Sequence, residues 1–413
     1  MKKVFFLLRG CSAITRWSLI SFTWLLLADD LSAQKIPISV NHVTGTPVVT
    51  IPLYEIKSGG ISVPITLVHS GQGVKADDVE QTAGMNFMLQ AGGSISREVR
   101  GLPDDYNQGG ITGWLHNSNG TSIENFQIAN DGNATTIIDE TQDINYIETN
   151  FPVLSDTEPD IFYVSAPGLS CRLVFDKDQV LRTIPYQDVQ VTYNSTGTQG
   201  ITSFTIVNDQ GVQYQFDMKE TVIRTTVSDN PGAIQYFKND FIRYQNGISY
   251  AGEWKLTTIK DASGNFIDFL YVDAFNRDSN DSLHTIHGGA GGTHTRQLQY
   301  QIKEKQTHTV PGMMIYGNRS IPATTWQRAS FHYRRNDSTA MRLIDSIALP
   351  GQALHFGYRM ANGEIAYNRG FLSSVQHTGI NCANPTTIRF EYFGTTGGNI
   401  IIADSISKQV DYW

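Results

Sequence analysis

Four of the ten histidines fall close enough together to share a metal ion: His284, His287 and His294 in LHTIHGGAGGTH, with His308 beyond. Imidazoles at short spacing can hold Zn²⁺. Here the Gly288-Gly289 and Gly291-Gly292 pairs make the stretch a flexible loop, and no carboxylate or cysteine stands at ligand spacing. Ring orientation would also need partners that the neighbouring sequence does not supply. The stretch is read as a solvated Gly/His loop. Carboxylates pair at Asp77-Asp78-Val79-Glu80 and at Asp104-Asp105. A glycosidase needs two of them about 5–9.5 Å apart across a cleft, one with a raised pKa. Neighbours in a turn point in different directions, so both groups are read as surface turns. Asp176-Lys177-Asp178 opens like a calcium loop but lacks the downstream Gly and Glu, and a hairpin turn fits it better. Trp114, Tyr316 and Trp326 are of the type that stacks on sugar rings, but such residues more often fill a core or its rim, and they are read so here. There is no Gly-x-Ser-x-Gly elbow, phosphate loop or zinc-protease helix. No catalytic, cofactor-binding or metal-binding residue is assigned, and no cofactor is expected.

The elements that would position such residues are strands. Charged residues are only 17% of the chain, and Gly, Asn, Thr, Ser and Gln, the residues of turns and strand surfaces, take their place. A net charge of -8 gives no basic footprint for nucleic acid. Ile61, Val63, Ile65 and Leu67 fall on one face at period two, with Ser62, Pro64 and Thr66 on the other. Pro52 and Pro64 cannot donate to a ladder and belong at an edge or a bulge. Between Leu102 and Ser155 the chain is polar, as for long loops and a domain margin.

From Asp160 onward one unit recurs. Asp209-Gln210-Gly211, Asp261 to Gly264 and Pro350-Gly351 each supply a turn between strands. Three copies share a Leu followed by Ile or Val: Leu256/Ile259, Leu343/Ile347 and Leu372/Val375. Each closes on aromatic-x-aromatic: Phe269/Tyr271, Phe356/Tyr358 and Phe390/Tyr392. The spacing is uneven, so this is a repeated unit with insertions. A lone hairpin is marginal in water, so the copies should join in a continuous curved sheet.

The N-terminus carries Lys2, Lys3, Arg9 and Arg16, then the apolar run Leu19 to Ala28, then a small-residue exit at Ser32 and Ala33. That order is a secretory signal peptide, and the run is about half of the ~20 residues that a membrane span needs. No later segment is apolar for long enough to span a bilayer. Export to the periplasm, outer-membrane surface or medium is expected. Cys171 and Cys382 then remain, either as one disulfide or as two buried thiols.

TGTPVVTIPLYEIKSGGISVPITL, GVKADDV and AGGSISREVRGLPDD, between Gly45 and Asp105, resemble the N-terminal region of large secreted Rhs/YD-repeat proteins of the Bacteroidetes type. FYVSAPGLSCRLVFD, ITSFTIVNDQGVQYQF and WKLTTIKDASGNFIDFLY resemble the segments that follow. The chain departs from the family at Gly84-Met85-Asn86-Phe87, where Gly-Leu-Gly-Trp is usual, and its end at Asp411-Tyr412-Trp413 resembles the entry to further repeats, as in a truncated chain.

The reading is therefore all-β: antiparallel strand–turn–strand units in curved sheets, a β-sandwich-like N-terminal part followed by YD-repeat-like hairpins. Residues 1–33 are expected to be the signal peptide, 34–158 an N-terminal β domain with long polar loops, and 159–413 the Rhs-like hairpin region. The resemblance implies a non-catalytic structural segment of an exported shell or cell-surface protein. A downstream repeat shell, a passenger domain or a surface glycan is the implied partner. The alternative is a carbohydrate- or surface-binding β module.

Overall fold

The computed structural model describes residues 38–40, 45–71, 80–108, 111–116, 156, 158–176, 178–197, 200–228, 248–278, 282–288, 296–336, 341–362, 368–379, 386–391, 395–396 and 399–400. Within them every regular element longer than three residues is a strand, and the sheets are antiparallel and curved. The first sheet holds β1 (Ile38–Val40), β2 (Pro47–Ser58), β3 (Ile61–Ser70) and β4 (Phe87–Ala91) in that order. β5 (Ser94–Glu98) turns away into a second sheet, and β6 (Asn107–Gln108) and β7 (Ile111–Thr112) make a small hairpin beside it.

The second sheet has 16 strands. Besides β5 it contains β8 (Ile161–Ala166), β9 (Leu169–Phe175), β10 (Leu181–Ile184), β11 (Val189–Thr196), β12 (Gly200–Asn208) and β13 (Gln213–Ser228). The long strands β14 (Ile248–Lys260), β15 (Asn265–Asp278), β16 (Ser282–Gly288) and β17 (Arg296–Asn318) follow. It ends with β18 (Gln327–Arg335), β19 (Arg342–Leu349), β20 (Gln352–Asn362), β21 (Asn368–Gly379) and β22 (Thr386–Arg389). Two short strands, β23 (Thr395–Thr396) and β24 (Asn399–Ile400), pair with each other.

The period-two face of β3 is in the core: Ile61, Val63, Ile65 and Leu67 are all buried. Pro52 sits where the β2–β3 register shifts, and Pro64 lies just past the last rung that β3 makes with β4. Neither position asks proline for a ladder hydrogen bond on both sides. Phe162, Phe175, Phe204 and Trp254 bring β8, β9, β12 and β14 together in edge-on and tilted contacts. Trp254 closes edge-on against Phe204 at 4.9 Å and donates from Nε1 to Ile201 O at 3.2 Å.

Three hairpins turn in the same way. In each, an Asx side chain accepts N–H groups two and four residues on: Asp176 from Asp178 and Val180, Asn208 from Gln210 and Val212, Asp261 from Ser263 and Asn265. The residue three positions after the Asx takes positive φ: Gln179 (62°), Gly211 (73°) and Gly264 (85°). The Asx oxygen does the work of a missing backbone rung, so the turn is set locally.

A second device repeats farther from the turns. The β14–β15 ladder ends at Thr258↔Asp268, the β17–β18 ladder at Met313↔Ser330 and the β19–β20 ladder at Ser346↔His355. Beyond each end a tyrosine hydroxyl bridges the parted strands. Tyr271 donates to Leu256 O (2.7 Å), Tyr333 to Pro311 O (2.7 Å) and Tyr358 to Ile344 O (2.8 Å). In all three, a register shift on the tyrosine's strand falls immediately before it, at Leu270/Tyr271, His332/Tyr333 and Gly357/Tyr358. The bulge re-aims the side chain that the pleat would otherwise direct elsewhere.

Two turns of the N-terminal segment fill two of these openings. Leu256 N donates to Gly93 O (2.9 Å), and Ile344 N donates to Thr82 O (2.7 Å). The third opening has Pro311 at the matching position, which has no N–H to offer. The turn at Thr82 also carries the departure noted above. Asn86 stands at φ 59°, a conformation that Asn tolerates as glycine does, and Phe87 is buried against Phe390 at 4.9 Å.

Candidate functional site

Arg97 on β5 is the centre of a buried charge cluster. Its side chain and that of Asp160, just before β8, are both wholly buried, and Nε donates to Asp160 Oδ2 at 2.6 Å. Nη1 lies 2.8 Å from Asp105 Oδ1, and the guanidinium sits 5.3 Å from the Phe162 ring centroid. Asp160 Oδ2 also accepts from Asp104 N (3.0 Å) and Oδ1 from Arg100 N (2.8 Å). Asp104 Oδ1 accepts from Asp160 N at 3.0 Å. Asp156 Oδ2 accepts from Leu102 N, and Asp105 Oδ2 from Ile201 N. The loop 99–105 is thereby tied to β8 and to β12.

Glycine is required where these backbones meet. A Cβ on Gly200 (φ 64°) would fall 2.0 Å from Asp105 Oδ2, and one on Gly113 would fall 2.0 Å from Pro103 O.

One guanidinium faces several carboxylates. Burial, then the charges of Asp160 and Asp156, push Asp104 up to about 9 against the pull of Arg97. Burial also raises Asp160, although Arg97 draws it back. The shift favours the protonated form of Asp104, in which the cluster carries one negative charge fewer around its single guanidinium among the described residues.

This corrects the reading of Asp104-Asp105 as a surface turn: Asp104 is fully buried and Asp105 nearly so. The same holds for Glu80, which is buried and accepts from Asn336 Nδ2 at 2.6 Å. Its neighbours Asp77 and Asp78 lie outside the described residues. The raised carboxyl of Asp104 faces inward, and Asp105, which borders open space, has both oxygens engaged. The pair does not span a cleft as two cooperating carboxylates must.

A cleft of ≈ 270 Å³ lies beside the cluster, walled by the 103–108 loop, the β11–β12 turn and β13–β14. Asp105, Tyr106, Asn107, Lys219, Ser249 and Tyr250 are among its lining residues.

Away from that cluster, the buried carboxylate of Glu220 on β13 accepts from Thr309 N (2.7 Å) and Thr309 Oγ1 (2.8 Å). Lys255 Nζ stands 3.4 Å and His308 Nδ1 3.5 Å from it. Burial alone would raise it, but His308, Lys255 and the Thr309 donors together hold it down to about 2.

The remaining candidates are placed as follows. His284 and His287 lie on strand β16, their backbones paired with Tyr300 and Gln297, and not in a loop; His294 lies outside the described residues. The glycine pairs begin only where that strand ends, which misled the reading. Among the described residues no three His, Cys, Asp or Glu side chains gather as metal ligands. Asp176 is the hairpin turn expected, its Oδ2 2.8 Å from Arg182 Nε. Trp114 and Tyr316 are buried in the core, and Trp326 stands half-buried at its rim, edge-on against Phe266. Cys171 is a buried free thiol, and Cys382 lies outside the described residues. Residues 1–37 and 401–413, with the leader and the aromatic end, also lie outside them. No described helix is long and apolar enough to cross a membrane.

Sequence reasoning missed Arg97, Asp156 and Asp160, and the cleft residues Tyr106, Asn107, Lys219 and Tyr250. The one local signal was Arg97 on the short strand Ser94–Glu98, with Asp104 and Asp105 close behind.

No family model matches the sequence, and no curated protein matches it. Solved structures resemble it in outline. The crystal structure of TcdB2–TccC3 is 11% identical with a TM-score of 0.37, covering 83% of this chain and 16% of that one. The Tc holotoxin pore of Photorhabdus luminescens gives 10%, 0.37, 83% and 15%. The N-terminal domain of effector protein SpvB from Salmonella typhimurium strain LT2 gives 12%, 0.31, 83% and 98%. The chain thus spans about one sixth of the first of these.

Proposed function

We propose that this chain is a non-catalytic structural segment of an exported β-shell or cell-surface protein. One observation carries the reading: the same bulge–tyrosine bridge is built three times along one hydrogen-bonded sheet. A module whose work is chemistry needs one rigid scaffold and one exposed site. A wall needs the same joint again and again. The buried carboxylates fit that role, since Asp160, Asp104 and Asp156 are spent on backbone N–H groups that hold a loop in place. The turns at Gly93 and Thr82 likewise serve as plugs in the wall. The order of charge and apolarity at the N-terminus supports export.

Fractionation of the source cells, with an antibody against the segment Gly45 to Asp105 and added protease, tests the proposal. The account expects the protein in the envelope or the medium, resistant to protease until denatured. Protein confined to the cytoplasm, or cut readily within the strands of the large sheet, would overturn it.

A further inference from the structure

We propose that the cleft beside the Arg97 cluster binds an acidic saccharide, one ring or two of a hexuronate-containing glycan. This goes beyond the structural role and stands or falls separately from it. The cleft is small for a ligand site, at ≈ 270 Å³ against about 300–1,000 Å³ for typical ones. It is also polar: apart from Pro103, Ala251 and two tyrosine rings, its side chains are amides, hydroxyls and charges.

Three features converge on a sugar acid. Tyr106 and Tyr250 are half-buried aromatics lining the same space, the usual partners of a pyranose face. Tyr250 is fixed there by two guanidinium groups, Arg97 6.0 Å and Arg224 5.7 Å from its ring centroid, and accepts from Arg224 Nη2 at 3.3 Å, so Tyr106 is the ring left to take the sugar face. The side chains of Asn107, Gln108 and Ser249 line the cleft and make no hydrogen bond among the described residues, so their donors and acceptors are open to ring hydroxyls. Lys219 lines it too, and its ammonium has neither ion pair nor hydrogen bond there.

The ammonium selects a single carboxylate. A phosphate dianion is disfavoured because the Asp105 carboxylate borders the same cleft, with Asp160 behind it, and Lys219 is the single cation among the described lining residues. A flat apolar ligand finds too little apolar wall.

The test is calorimetric titration of the purified full chain with trigalacturonate, with cellotriose as the neutral ring and with acetate as the bare carboxylate. Trigalacturonate should bind in the millimolar range or better and weaken as salt rises. Cellotriose should bind about tenfold more weakly. Lys219→Gln should lose about tenfold for trigalacturonate only, and Asn107→Ala several-fold for both sugars, with circular dichroism unchanged. Absence of trigalacturonate binding, equal binding of cellotriose, displacement by equimolar acetate, or indifference to Lys219→Gln would each overturn the proposal.

Discussion

Asp104 and Asp160 exchange hydrogen bonds: each carboxylate accepts the backbone N–H of the other, both at 3.0 Å, across 56 residues of sequence. The two differ in charge partner. Asp160 meets Arg97 at 2.6 Å, while burial and its acidic neighbours push Asp104 toward its protonated form against the pull of that guanidinium. The reciprocal pair pins the loop after β5 to the strand that begins 56 residues later.

Neutralising the two aspartates should therefore have unequal effects. Asp104→Asn puts a neutral amide of the same shape in place of the carboxyl and should cost less than about 1 kcal/mol near pH 4, turning stabilising as pH rises and the unfolded wild-type carboxyl ionises. Asp160→Asn removes the partner of Arg97 Nε but leaves that guanidinium paired with Asp105, and should cost about 2 kcal/mol, whereas Arg97→Met leaves the carboxylates of Asp105 and Asp160 without their cation and should cost about 3–5 kcal/mol. Denaturant titration of the three variants checks the order.

The pH dependence of the Asp104→Asn difference follows from the direction of the shift. The carboxyl is raised from about 3.9 in the unfolded chain to about 9 when folded. Its stabilising proton is held in both states below about pH 4, and the folded chain pays to keep it as pH climbs. Wild-type stability relative to the Asn variant should fall from about pH 4 and level off near pH 9.

Glu220 works in the opposite direction. Folded, it is held down to about 2, against about 4.3 unfolded. Its contribution is present above the unfolded value and is lost as pH falls through the folded one. Glu220→Gln should be less stable than wild type at pH 6, and the gap should close between about pH 4 and pH 2. Thermal melts over that range measure it.

Removing one bridging hydroxyl tests the wall joint. Tyr271→Phe, Tyr333→Phe and Tyr358→Phe each leave a carbonyl unsatisfied and should each cost about 1 kcal/mol. Tyr186→Phe, at a side chain 85% exposed, should be neutral. Urea unfolding of the four variants separates the two cases.

What the sequence made legible was local. The period-two run Ile61, Val63, Ile65, Leu67 needs only the pleat, and it is the core face of β3. Phe269/Tyr271 and Phe356/Tyr358 were visible as repeats because each follows its turn at short range. Tyr392 lies outside the described residues. Tyr333 escaped notice, although Phe331/Tyr333 is the same motif, because its bridge reaches Pro311 and no Leu/Ile pair marks that copy. The charge cluster was invisible for a stronger reason. Arg97 and Asp160 are 63 residues apart, and neither type nor spacing shows that two charged residues will share one dry site. Trp114, Tyr316 and Trp326 show the converse: residue type left two uses open, and burial places them in the core or at its rim, the use that the sequence reading favours.

Hydrogen exchange of the full chain, read by mass spectrometry, tests most directly whether the repeated joint makes one wall. Peptides covering β14–β15, β17–β18 and β19–β20 should share a single opening free energy, and Tyr271→Phe should lower protection in all of them together. If β19–β20 exchanges through an independent opening while β14–β15 stays protected, the hairpins are separate units and the structural account is wrong.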